Sequence, residues 1–311
     1  MNASKKRNRL VIEFTHPGKE YLPLTKKEDT NVTWDDENKN SGIRKWNELP
    51  KHKRKFLSVN GKYMRSLNSK VEWSTVTCWG EWEAQSRFKK TNSLSPKYVH
   101  APFLDKTYQG PRRHNTDPFI FGDSFWYTNC KQEKNPFLRS LDHGSIILFG
   151  SESKVGFLLD TVFVVKNGYE PAQISKQLDE FPEQLKVNNL LHNNLVHDAS
   201  KKDFTFYEGL MNNTSADFFS FVPCKPSKGG LPQEHERPIL EPWIKFYLQK
   251  PGAGTVCTRL LQSEMIDGSL TMERSKAYWE LIANACIEQG FSLGVHFNLP
   301  EISFGNSFRG I

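Results

Sequence analysis

The chain has 311 residues, 37% of them hydrophobic and 13% aromatic, which is ample material for a packed core. Lysine and arginine outnumber acidic residues 42 to 35, and the resulting charge of +7 favours anionic partners, with nucleic acid or a nucleotide first among them. No apolar run reaches the roughly 18–20 residues of a membrane span, and the basic start leads into a strand-like run, not a leader's apolar core. The expectation is a cytoplasmic protein with no membrane partner.

In chain order, Arg9 to Phe14 reads as a buried strand ending in the turn Thr15-His16-Pro17-Gly18. Lys26 to Lys53 is polar and charged with little periodicity. The densest basic patch spans the end of this stretch and the residues just after it: Arg44, Lys45, Lys51, Lys53, Arg54 and Lys55, with Trp46 and Phe56 between them. Lys70 to Trp82 is rich in valine, threonine and tryptophan and predicts a strand. Pro118 to Gly122 is a short apolar run. Ser145 to Phe149 and Gly156 to Val165, separated by a polar turn, predict a β-hairpin.

Beyond Glu170 the pattern shifts. Ala172 to Leu185 reads as helical, Asp203 to Tyr207 and Phe218 to Val222 as strands, and Pro223 to Pro242 as a long loop. Ser275 to Gln289 is the clearest helix, with Tyr278, Leu281, Ile282 and Ala285 on one face and Gly290 as its stop. Phe291 to Leu299 alternates as a strand. This order does not alternate as βαβ units do. It predicts an α+β fold with a mixed or barrel-like central sheet and peripheral helices. Residues 1–235 form the strand-rich core, and 236–311 form a C-terminal α/β extension, separate or part of the same domain.

The stretch from Leu138 to Gly150, followed by Phe157-Leu-Leu-Asp-Thr-Val-Phe-Val-Val165, resembles the core of PUA-like domains, the superfamily of the ASCH and EVE families. The shared element is a leucine, a turn, an apolar strand and a second strand ending in consecutive valines. Here Gly144-Ser145 stands where Gly-Asp is commoner. The likeness covers about residues 138–165. PUA-like domains are small β-barrels that bind RNA or DNA, often with a modified base in an aromatic pocket, and the resemblance implies such binding here.

Several groups of residues could carry chemistry. Cys78-Trp-Gly-Glu-Trp-Glu83 places an indole near two carboxylates. Trp79 offers a stacking face, and Glu81 or Glu83 can accept from base N–H groups; the alternative is a core tryptophan with solvated glutamates. His114-Asn115-Thr-Asp117-Pro is a turn former that also supplies donors and acceptors. Trp79, Glu81, Glu83, Asn115, Asp117, Tyr127 and Asp160 are therefore the candidate base pocket, and the basic patch the candidate phosphate holder.

The rival expectation is a hydrolase acting on nucleic acid or a nucleotide, with His16, Glu81, His100, His114 and Asp117 as acid, base or ligands. A third is a protein–protein module. Cys130 beside Lys131 is a candidate nucleophile for which no sequence neighbour supplies a base. Phe125, Trp126 and Tyr127 read mainly as packing. The five scattered cysteines, Cys78, Cys130, Cys224, Cys257 and Cys286, contain no CxxC, and neither HExxH nor HxH occurs. No disulfide framework, metal site or cofactor is predicted. Gly252-Ala-Gly254 lacks the following GK[ST] of a phosphate loop.

Overall fold

The computed structural model describes residues 7–16, 18–22, 31–32, 53–84, 86–105, 116–128, 130–133, 135–170, 173–174, 204–212, 217–240, 258–260 and 269–303. In chain order the strands are β1 (Val11–Thr15), β2 (Asn31–Val32), β3 (Lys55–Met64), β4 (Glu72–Gly80), β5 (Ser86–Lys90), β6 (Tyr98–Asp105), β7 (Trp126–Tyr127), β8 (Ile146–Ser153) and β9 (Gly156–Tyr169). They continue with β10 (Phe206–Gly209), β11 (Val222–Pro226), β12 (Ile239–Leu240), β13 (Thr258–Leu260), helix α1 (Met272–Glu288), β14 (Ser292–Phe297) and β15 (Glu301–Ser303). The described chain is thus mostly β.

One sheet runs β13-β1-β8-β9-β10-β7, with β12 also on β9. Its centre is the predicted hairpin, β8 antiparallel to β9, and β1 lies parallel to β8. The other runs β14-β11-β4-β3-β6-β5-β2, and β14 also pairs with β3. That extra pairing closes β3, β4, β11 and β14 into a small antiparallel barrel. Leu57, Cys78 and Cys224 sit side by side across its strands, as do Val59 and Val76, all on one face and all buried. Alternation sends Lys62, Trp73 and Asn60 to the other face.

Closure needs a close approach. Phe297 is buried against β3, where a Cβ on Gly61 would overlap the His296 carbonyl oxygen and sit 2.7 Å from Phe297 Cδ1. Gly61→Ala is therefore expected to lose about 1–3 kcal/mol in urea unfolding. Gly80→Ala, whose Cβ would meet only Leu57 Cδ1 at 3.5 Å, should change stability far less.

Helix α1 starts at Thr271, whose side chain accepts from the Arg274 N–H, and stops before Gly290 at φ +79. Its buried face carries Ser275, Trp279, Ile282, Ala283 and Cys286. Leu281, expected inward, is 48% exposed. Trp279 explains the rotation: it packs edge-on to Phe218, Phe219 and Phe221 and donates to the Phe219 carbonyl at 2.7 Å.

Other expectations shift. The apolar run 118–122 is buried; Phe119 makes an isolated bridge to Trp126, and Gly122 has φ +86. The strand expected over 218–222 begins only at Val222. β3, whose first residue belongs to the expected basic patch, is a wall of the barrel. The segment resembling PUA-like domains supplies β8 and β9 of the first sheet, not the closed barrel. β14, from the C-terminal stretch, is built into that barrel. Most of the helix expected over 172–185 lies outside the described residues.

Candidate functional site

Polar side chains from both sheets converge at their seam. His16 follows β1, and its N–H donates to the Gly150 carbonyl at 2.7 Å. Glu81 follows β4, Arg54 precedes β3, Asp160 lies in β9, and Cys130 lies in the turn after β7. Strand ends hold these groups, so their backbones are fixed by ladder hydrogen bonds while their side chains meet in the interior.

The turn carrying Cys130 is pinned at both ends. The Asp117 carboxylate accepts from the Cys130 N–H at 2.9 Å, the Thr128 N–H at 2.8 Å and the Thr128 hydroxyl. The Tyr127 hydroxyl donates to the Cys130 carbonyl at 2.7 Å. Lys131 adopts φ +61, a left-handed conformation disfavoured for a side chain with a Cβ, and its ammonium reaches the Thr15 carbonyl beside His16. Backbone strain of this kind persists where the surroundings over-determine it.

His16 Nε2 lies 3.2 Å from Cys130 Sγ, and its Nδ1 lies 3.0 Å from Glu81 Oε2. The second contact is close but not aligned as a hydrogen bond. Phe14 holds the imidazole edge-on at 4.8 Å between ring centres. Arg54 Nη1 donates to the same Glu81 oxygen at 2.8 Å, and Arg54 Nε lies 2.7 Å from Asp160 Oδ2. Arg237 continues the line at 3.5 Å from Asp160 Oδ1, also donating to Ser151 Oγ and the Gly18 carbonyl. Two guanidiniums thus offset two carboxylates in the core. The Cys130 residue is partly exposed while His16 and Glu81 are buried, so the triad lies just beneath the surface at the Cys130 turn.

Burial lowers the His16 pKa to about 3, outweighing the nearby Glu81 carboxylate, so the ring is neutral at pH 7. Burial, then the Glu81 and Asp117 carboxylates, push the Cys130 thiol well up, against Lys131. The resting pair is a thiol facing a neutral imidazole. Burial opposes the charge on Arg54, but Asp160 and Glu81 outweigh it and hold the guanidinium's pKa above its ordinary value. Burial raises the Asp160 carboxyl despite Arg54 and Arg237. Arg54, Glu81, Asp117 and Asp160 line a cavity of about 10 Å³, room for about one water.

Of the predicted residues, the fold unites His16, Glu81 and Asp117 with Cys130, and joins Asp160 to them through Arg54. Trp79 is not an open stacking platform. It is 2% exposed, its N–H donates to the His235 carbonyl at 2.8 Å, and Phe56 and Arg237 pack on it. Strand alternation stops at Gly80, so Glu81 turns to Arg54 and His16 rather than lying beside Trp79. Glu83 is buried, its N–H on Thr116 Oγ1. Tyr127 is a core ring stacked on Tyr207.

His100 stands apart, its Nδ1 3.0 Å from Ser86 Oγ. Arg54 and Lys55 face inward, Lys55 toward the Ala84 carbonyl and Ser86, so neither offers a surface charge to phosphate. Lys53 is half-buried. Arg44, Lys45, Lys51, His114 and Asn115 lie outside the described residues. Arg237 was missed, because a buried arginine in a proline-rich loop reads as solvated. The pairing of His16 with Cys130 was missed because 114 residues separate them.

No family model matches this chain, and no curated protein or solved structure is significantly similar to it. Among the described residues no group of three or more His, Cys, Asp or Glu could hold a metal ion, and no helix is long and apolar enough to cross a membrane.

Proposed function

We propose that the chain is a thiol-nucleophile enzyme, a hydrolase or transferase, in which Cys130 attacks, His16 is the general base and Glu81 orients it. The observation that carries this is the row of close contacts from Cys130 Sγ to His16 Nε2 at 3.2 Å and from His16 Nδ1 to Glu81 at 3.0 Å. As Sγ bonds to an electrophilic carbon, its proton passes to Nε2. The imidazolium then faces the Glu81 side chain, which also accepts from Arg54. Nε2 returns the proton to the leaving group, and water, deprotonated by the same nitrogen, hydrolyses the thioester. Asp117 is a positioning residue that fixes the turn through the Cys130 N–H. The substrate class we propose is an acyl ester or amide carried on a nucleotide or nucleic acid, whose carbonyl carbon bonds to Sγ and whose nucleotide oxygen or nitrogen leaves with the proton. The nucleotide part is supported by the +7 charge and by the likeness of residues 138–165 to PUA-like domains.

The test uses p-nitrophenyl acetate and intact-protein mass. An acetyl adduct on Cys130 is expected, with none in Cys130→Ala. His16→Gln should slow adduct formation by about 100-fold or more. An adduct rate indifferent to His16 sinks the triad. The rate should climb with pH beyond the ordinary thiol range, because the resting thiol is protonated.

A further inference from the structure

A second site lies on the outer face of the barrel. Three adjacent strands present one side chain each in a row: Trp73 on β4 is opposite Lys62 on β3, and Lys62 is opposite His296 on β14. Directly paired residues share a face, so indole, ammonium and imidazole stand side by side. Trp73 is 53% exposed, unusual for the largest apolar side chain, and its ring centre is 6.4 Å from that of His296. Lys62 and His296 line a groove of about 470 Å³, with Asn212 and Asp123 among its other walls, and Trp73 stands at its edge beside His296. Asp123 Oδ1 lies 4.0 Å from His296 Nδ1. Arg65 is bound to Glu72 and adds no free charge, whereas Lys62 has no ion pair among the described residues.

We propose that this groove binds a nucleotide unit, a planar base carrying a phosphate, whether free or within a single strand. The indole supplies a stacking face that tolerates any base. Lys62, beside it, takes the phosphate as a point charge. Asn212 and His296 offer amide and imidazole groups to the base edge, and Asp123 accepts from a base N–H or a sugar hydroxyl. A sugar alone would use the indole and Asp123 but leave Lys62 unanswered. The proposal rests on the nucleotide class put forward above, and not on the thiol chemistry.

The test titrates the full chain with adenosine monophosphate and, separately, with a labelled short oligothymidylate, across a salt series. Trp73→Ala should weaken binding by about 10-fold or more, and Trp73→Phe should retain most of it. Lys62→Ala should weaken binding and reduce the salt slope by about one charge. These losses with the mononucleotide place a free nucleotide in the groove; with the oligonucleotide alone, they place a strand there. Binding that both alanine variants leave unchanged overturns the groove and spares the nucleotide class. No binding of either probe at low salt overturns both. The acetyl adduct on Cys130 reads the triad independently. Trp73 and Lys62 are exposed, so their variants should fold.

Discussion

Arg54→Met should cost about 3–5 kcal/mol. Arg54 is 1% exposed and lies between Glu81 and Asp160, themselves 5% and 3% exposed. Methionine fills similar space but leaves two carboxylates facing each other in the core, with Arg237 alone at 3.5 Å from one of them. Urea unfolding at pH 7 measures the loss. Adding Glu81→Gln and Asp160→Asn to Arg54→Met should recover part of it, because the stranded charges then disappear. A loss below about 1 kcal/mol for Arg54→Met would mean that water reaches the seam and the charges are not desolvated.

Acid should destabilise the fold well before ordinary carboxylates titrate. His16 has a folded pKa of about 3 against 6.5 when exposed. The unfolded chain takes up a proton as pH falls through 6.5, and the folded chain refuses it until about pH 3. The contribution is therefore whole above that window and lost as pH drops through it, with a ceiling of about 4–5 kcal/mol. His100, lowered mainly by burial, acts in the same sense. Asp160 acts in the opposite sense: burial raises its folded value, so the folded state protonates first and regains some stability in acid. The measurement compares unfolding at pH 7 and pH 4 in the wild type and in His16→Gln. The variant should keep the His100 dependence and lose about one proton's worth of slope. An unchanged slope would mean that the ring is solvated.

Much of the fold was legible where local patterning decides structure. The hairpin of β8 and β9, the strands β1, β4 and β14, and helix α1 all carry a period and a turn that name them. β3 was not legible, because Lys55, Asn60, Lys62 and Gly61 dilute its alternation and its burial comes from closure by β14. The site was half legible. His16, Glu81, Asp117 and Asp160 drew notice as polar groups at turns or in strands, and Cys130 as a thiol lacking a base. Their union depends on pairing between distant strands, which no window along the chain contains. Trp79 misled for a related reason. Its environment is set by His235 and Arg237, far along the chain, and not by the glutamates next to it.

The barrel's closing strand also bears on how the protein comes to be made. β3 waits for β14, whose residues leave the ribosome more than 200 positions later. Until then a nascent chain holds the second half of β3, Gly61 to Met64, paired on one side only, alongside a half-built charge line that still lacks Arg237. Such an intermediate exposes strand edges and unpaired charge together, which is the state that chaperones recognise. Translation paused before β14 should therefore yield a protease-sensitive, holdase-bound chain, and release of β14 should bring the barrel and its neighbouring seam to order in one late step.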